Sequence, residues 1–235
     1  MNETDERTPI LAGIAAARTN LVPGIIIQSV GLAIVLAYYY YEPARLVLGQ
    51  LAEWKQRYGY AFTFIATGIG GGVIPEIFRV FIFQRGVVRR ENLSGVLFGF
   101  PFWGSVGCCS DTFYRFQADW FGTVVKPSVV AKKVVVDMFI YTPIWGTPIV
   151  VWGNEFQKQG YSLRGIGRFF TLRFYKHTIL PALLAGWGVW IPAVSIIYSL
   201  PLLLQIPLFV MVTSFWSLLV ACISRMKKPV VLSPP

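Results

Sequence analysis

Charge is what this sequence has least of. Only 14% of its 235 residues are Asp, Glu, Lys or Arg, against roughly 25% in a soluble domain. Hydrophobic residues make up 55% and the mean hydropathy is +0.58. That excludes an ordinary soluble enzyme or a DNA-binding module, so no nucleic-acid partner is expected. Histidine occurs once, as His177, and a lone imidazole cannot assemble a zinc site without Cys or carboxylate partners at ligand spacing. It reads as an interfacial residue facing headgroups. Cysteine occurs three times, at Cys108, Cys109 and Cys222, always within apolar stretches. Adjacent cysteines are not a CxxC redox motif, and an odd count gives no disulfide framework. All three read as buried apolar filler. The Gly68-Ile69-Gly70-Gly71-Gly72 cluster has no following Lys-Ser/Thr pair, so it is no phosphate loop. No metal, cofactor or catalytic residue is expected, because intramembrane chemistry wants a nucleophile beside a base.

What is present is apolar length. A membrane span needs about 20 apolar residues, and the chain offers six segments. Leu21 to Tyr41 is free of charge and ends in the tyrosine run 38–41, which suits an interface. Tyr58 to Pro75, extended by Phe78 to Phe83, is the second. Asn92 to Ser110 and Val134 to Asn154 follow. Thr178 to Ser224 is 47 residues without a charge, about 70 Å as one helix, so it must turn. Pro201 disfavours helix in the residue before it and starts a new helix well. The corner is therefore expected at 198–201. The expected fold is an all-α, polytopic transmembrane bundle of six segments, the last two a hairpin. Its single domain covers 21–226, between tails at 1–20 and 227–235.

Loop charge sets the expected orientation. With six spans and the N-terminus inside, the inner segments hold 14 of the Lys and Arg residues and the outer segments hold 7, namely Arg45, Lys55 and Arg57 in the first outer loop, then Arg115, Lys126, Lys132 and Lys133. Positive residues favour the cytoplasmic or matrix-like side, so both termini are expected inside. Glu3, Asp5 and Glu6 are unlike the acid-poor leader of an organellar precursor, and the first span is expected to be retained.

Acids inside spans are the strongest functional pointers, since an unpaired charge there is costly. Glu76, Asp111 and Asp137 qualify. Each has a base one helical turn away: Arg79, Arg115 and Lys133, respectively. That spacing puts the partners on one helix face. Two readings stay open: the pairs line a shared polar path, or they only neutralise each other. Gly68 with Gly72, and Gly95 with Gly99, form GxxxG patterns that let two helices approach closely. The tryptophans, Trp103, Trp120, Trp145, Trp152, Trp187, Trp190 and Trp216 among them, read mainly as interfacial belts. Arg79, Arg85, Arg89 and Arg90 form a basic run beyond the second span, suited to orientation or to anionic lipid headgroups.

Several spacings together resemble a known family. Lys132-Lys133-Val-Val-Val-Asp137-Met138 with Pro143 resembles the KKxxxDQxxxxP signature of the Mpv-seventeen/PMP-twenty-two family of peroxisomal membrane proteins. Trp187, Trp190 and Pro192 resemble its tryptophan–proline segment, and Pro201 with Trp216-Ser217 its VP…WN spacing. Phe113-Tyr114 stands where the family has Trp-Tyr, and Thr67 to Glu76 matches a Thr-to-Asp spacing. The likeness covers 58–226. Met138 replaces the usual Gln, Pro75-Glu76 replaces Gly-Asp, Ile196-Ile197 replaces Asn-Phe, and Gln205 replaces Arg. The resemblance implies a small organellar membrane protein (mitochondrial inner or peroxisomal) acting as a poorly selective channel. It marks Glu76, Lys132, Lys133 and Asp137 as site candidates, with Pro143, Pro201 and Trp216 shaping helices. A bacterial inner membrane fits the composition equally.

Two functions follow as expectations. The first is a channel or transporter whose polar path is lined by Glu76, Arg79, Asp111, Arg115, Lys133 and Asp137. The second is a non-conducting structural or assembly protein, joined to a copy of itself or to another membrane protein. Either one has the lipid bilayer as its main partner.

Overall fold

The computed structural model describes the backbone of residues 3–226, and side chains for residues 9–11 and 13–216. Six helices follow one another: α1 (Glu3–Tyr40), α2 (Glu42–Phe83), α3 (Arg90–Phe121), α4 (Pro127–Lys158), α5 (Leu172–Tyr198) and α6 (Leu202–Met226). Among the described residues, α1 to α5 are long and apolar enough to cross a membrane, α1 over Pro9–Tyr40. The chain is a multi-pass, all-α membrane protein. Large apolar side chains stand exposed along the helices, Val22, Leu97 and Ile144 among them, as lipid-facing surfaces require. The corner between α5 and α6 falls at the expected place. There the Leu204 N–H donates to the Pro201 carbonyl at 2.8 Å and opens α6.

Two segments read as non-helical are helical. Residues 1–20 were expected to be a tail, yet residues 3–20 belong to α1. Tertiary contact extends that helix past Arg18: a Cβ on Gly13 would lie 2.9 Å from the Leu184 Cβ of α5. Residues 42–57 were expected in an outer loop, but α2 begins at Glu42 with Pro43 in its first turn. At Gly59 the backbone turns to φ 53°, ψ −121°, a conformation that suits glycine, and the apolar half of α2 follows. Its charged residues stopped the apolar run without stopping the helix. The tail expected at 227–235 lies outside the described residues.

Glycines set the helix contacts and show their directions. Gly13, Gly24 and Gly31 of α1 meet Leu184, Val189 and Ile196 of α5, numbers rising together, so these helices run parallel. Between α2 and α3 the numbers run oppositely: Gly68 meets Phe100, Gly72 meets Gly99, and Gly95 meets Glu76. A Cβ on Gly72 would sit 2.4 Å from the Gly99 carbonyl carbon. The two GxxxG patterns therefore do pack against each other, and Gly104 on Phe64 with Gly107 on Thr67 extends the seam. Parallel odd-numbered helices and antiparallel neighbours are what a serpentine chain produces.

Prolines inside the helices leave carbonyls without helical donors, which hydrocarbon does not tolerate. Neighbouring helices supply the missing hydrogens. In the π-helical turn Ile69–Val73, the Ile74 N–H reaches back five residues to Ile69. Pro75 cannot continue the pattern to Gly70, and Ser214 Oγ of α6 donates to that carbonyl at 3.0 Å. In the π-helical stretch Asp137–Gly146, Pro143 has no N–H for the Met138 carbonyl, and Trp187 Nε1 donates there at 3.2 Å. Pro148 likewise leaves the Pro143 carbonyl open, and the Tyr175 hydroxyl donates at 3.0 Å. In α5, Pro192 abandons the Gly188 carbonyl four residues back, where Gln28 Nε2 of α1 donates at 3.3 Å. Each of these four prolines, Pro75, Pro143, Pro148 and Pro192, thus fixes a contact between helices. The fully buried core lies at the α5–α6 corner, around Ile197, Tyr198, Leu200, Leu204 and Ile206. Tyr39, expected only as an interfacial residue, donates to the Ser199 carbonyl of that corner at 2.9 Å.

Candidate functional site

The three intramembrane acids do not share one space. Glu76 sits in the α2–α3 seam, pressed on Gly95, where a Cβ would lie 2.6 Å from its Oε1. Arg79 donates to its two oxygens at 3.1 and 3.3 Å, as the i+3 spacing predicts, and Asn92 Nδ2 donates to Oε2 at 2.9 Å. Asn92 also accepts the Arg89 N–H at 2.8 Å and so starts α3. Glu76 is therefore a staple between two helices.

Asp111 makes a second clamp. Arg115 Nε donates to its Oδ1 at 3.3 Å, the expected i+4 pair. Its stronger partner is Lys55, which the sequence reading placed in an outer loop. The Lys55 ammonium donates to Asp111 Oδ2, to Thr63 Oγ1 and, at 3.2 Å, to the Gly59 carbonyl. Three N–H bonds meet three acceptors. The side chains of Lys55 and Asp111 are only 1% and 3% exposed. The bend at Gly59 is what brings that ammonium inward, and nothing in the hydropathy profile signals a bend there. Two of the seven basic residues counted as outer, Lys55 and Lys133, are buried in the bundle and carry no orienting weight.

Of the three acids, Asp137 is the one in the lining of the large cavity between α3, α4, α5 and α6. It lies at the start of the π-helical stretch of α4 and is buried. The Tyr198 hydroxyl donates to Oδ2 at 2.7 Å and Thr142 Oγ1 donates to Oδ1 at 3.1 Å. Gln117 Nε2 in turn donates to the Tyr198 oxygen at 2.8 Å. The expected Lys133–Asp137 pair is not formed: among the described residues no ion pair joins them. Lys133 instead holds its ammonium over the Tyr198 ring, 5.9 Å from the centroid. Tyr198, arriving from α5, takes the carboxylate through its hydroxyl and the ammonium through its ring, and so separates the two.

The cavity beside Asp137 has a volume of about 370 Å³, far above the roughly 10–15 Å³ that one water needs. Its walls come from α3, α4, α5 and α6, with Asn20 of α1 at the edge. Among the described lining residues Asp137 is the one carboxylate, and no Lys or Arg joins it. Glu76, Arg79, Asp111, Arg115 and Lys133 are all outside the lining, which corrects the expectation of a path faced by paired acids and bases. Hydroxyl and amide groups, among them those of Ser110, Tyr141, Thr142, Thr147 and Asn154, add polarity to a mainly apolar wall. Of the α4 residues in this lining, Asp137 is buried and Asn154 is exposed. Tyr114, also in the lining, is buried, as are Tyr198 and Gln117, which form the hydrogen-bonded chain onto the Asp137 carboxylate.

The tryptophan reading also needs correction. Trp103, Trp190 and Trp216 line the cavity, and Trp187 anchors α4 through the Met138 carbonyl. Trp120 and Trp145 are exposed, as a belt residue would be. Hydropathy alone cannot separate an aromatic facing lipid from one facing an internal space. The two described cysteines are not buried: Cys109 is exposed, and Cys108 is half-buried with its thiol donating to the Tyr60 carbonyl of α2 at 3.7 Å. An apolar run in a membrane helix has a lipid face as well as a core face. The side chain of Cys222 lies outside the described residues. His177 is exposed at the start of α5, as its interfacial reading requires. Arg85, Arg89 and Arg90 are exposed at the turn between α2 and α3, whereas Arg79 is drawn to Glu76.

Among the described residues no group of three or more His, Cys, Asp or Glu side chains gathers as metal ligands would. No protein-family model, curated protein or solved structure matches the chain. What the fold and site define is a class: a multi-pass helical membrane protein with a one-carboxylate cavity.

Proposed function

We propose that this protein lets small polar solutes or ions cross its membrane, and that the cavity around Asp137 is the middle of the path. The observation that carries the reading is a space of about 370 Å³ inside the bundle whose mainly apolar wall carries several hydroxyl and amide groups and one buried carboxylate. Buried ionisable groups facing an internal cavity mark solute or ion pathways in membrane proteins. Five of the residues behind the resemblance to the Mpv-seventeen/PMP-twenty-two family gather here: Tyr114, Asp137, Met138, Trp190 and Trp216 line the space, whereas Glu76, Lys132, Lys133, Pro143, Trp187 and Pro201 do not. That gathering supports membership in this family as part of the proposal. We place both termini on the positively charged side, in a mitochondrial inner, peroxisomal or bacterial inner membrane. Arg85, Arg89 and Arg90 on that side suit anionic headgroups.

Purified protein in liposomes tests the reading. Glycerol or monovalent-ion flux should exceed that of protein-free vesicles, and Asp137→Asn should change it several-fold. Flux no greater than in empty vesicles would overturn the proposal.

A second reading has an observation of its own. Two of the three acids, Glu76 and Asp111, are held by neighbouring side chains within helix seams, as a non-conducting assembly protein would use them. A stoichiometric membrane-protein partner or a stable homo-oligomer, together with absent flux, would favour it.

A further inference from the structure

The chemistry of the walls narrows what the cavity accepts. Its aromatic lining is a connected set: Tyr114 stands edge-on to Phe209 at 6.4 Å between centroids, and Phe209 meets Trp190 at 6.0 Å. Tyr141, stacked on Phe113 at 4.0 Å, and Trp216 complete the walls. Ring faces attract cations through their negative quadrupole, most strongly when water is excluded, and aromatic cages recognise alkylated ammonium groups in this way. In the same lining stands a carboxylate already oriented by two hydroxyl donors, with no basic side chain among the described lining residues. An inorganic anion would meet like charge there. A divalent metal would want six or more oxygens around it, and Asp137 offers one carboxylate among rings. A neutral solute would leave the aromatic faces and the negative charge unused.

We infer that the cavity is a binding site for a small organic ammonium ion, its charge facing Asp137 and its alkyl groups lying against Tyr114, Tyr141, Trp190, Phe209 and Trp216. The inference deepens the permeation reading by naming the class of solute. It concerns equilibrium binding, which can be measured without any transport.

The test is calorimetric titration of the purified full chain in detergent with choline, with its neutral carbon isostere dimethylbutanol, and with potassium chloride. Choline should bind saturably and at least about tenfold more tightly than the isostere, and Asp137→Asn should lose at least tenfold in choline affinity. Potassium at concentrations equal to choline should not displace it. Equal binding of the isostere, an Asp137→Asn protein that binds choline normally, or displacement by equimolar potassium would each overturn the inference. Should Asp137→Asn fail to fold, Trp190→Leu removes a ring face and keeps the carboxylate. It should weaken choline several-fold more than the isostere, and equal weakening would count against the site. Choline binding without vesicle flux would remove the permeation reading and leave this one. Flux without choline binding would do the reverse.

Discussion

Lys55 and Asp111, 56 residues apart in the chain, form an ion pair in the interior of the bundle. The pair joins the amphipathic first half of α2 to the middle of α3, and it exists because Gly59 bends the chain between them. A salt bridge so thoroughly desolvated is a weak source of net stability, but breaking one side of it strands a buried charge.

Asp111→Leu should therefore destabilise the protein by about 3–5 kcal/mol by stranding the Lys55 ammonium, and Lys55→Met by less, because Arg115 and Thr63 still donate to Asp111. The double variant should be more stable than either single one, since it leaves no lone charge on Lys55 or Asp111. Thermal unfolding in detergent, followed by tryptophan fluorescence, measures all three. A double variant worse than both singles would show that the pair does more than cancel charge.

Gly59→Ala should cost about 1–3 kcal/mol, because φ 53° with ψ −121° strains any side chain-bearing residue. No neighbour lies within 4 Å of the added methyl, so the cost is one of backbone conformation. Gly49→Ala, also with open space around it and no positive φ, is the control. It should leave the melting temperature unchanged or slightly raised.

Gly72→Ala should be among the most damaging small substitutions, since its methyl would meet the backbone of Gly99 at 2.4 Å. Backbone cannot step aside as a flexible side chain can. Overpacking of this kind costs about 1–3 kcal/mol or forces the helices apart. Cross-linking between cysteines placed on either side of the α2–α3 seam would report the separation directly.

The proline-relieving hydrogen bonds predict an epistasis. Gln28→Leu removes the donor to the Gly188 carbonyl and should lower stability by about 1 kcal/mol, in keeping with interhelical hydrogen bonds in membranes. With Pro192→Ala, the new backbone N–H can take that carbonyl itself, and Gln28→Leu should then cost close to nothing. A double-mutant cycle on unfolding free energy checks this. Additive losses would mean that Gln28 acts through its second contact, to the Val189 carbonyl.

Much of the architecture was readable from the chain. Six apolar segments became six helices because nothing but a helix satisfies backbone polar groups in lipid one segment at a time. The hairpin corner was legible at Pro201, and the α2–α3 seam at Gly72 and Gly99, because proline and glycine act through their own covalent shape. Side-chain pairing was legible only within one helix: Glu76 with Arg79 and Asp111 with Arg115 formed as their spacing required. Lys133 and Asp137 have the same kind of spacing and did not pair. A third residue from another helix, Tyr198, binds both, and local spacing cannot register such a competitor.

The shortage of charge thus determined, by itself, that the chain is an apolar helical bundle, and its prolines and glycines determined where the bundle turns and touches. Which acid faces an open space was decided only by the tertiary structure. Glu76 and Asp111 found partners across a seam, whereas Asp137 came to rest beside a gap left between α3, α4, α5 and α6. Burial of a charge is a property of one residue's surroundings in three dimensions. For Asp137 even the hydroxyl that binds it most closely, that of Tyr198, comes from 61 residues away along the chain.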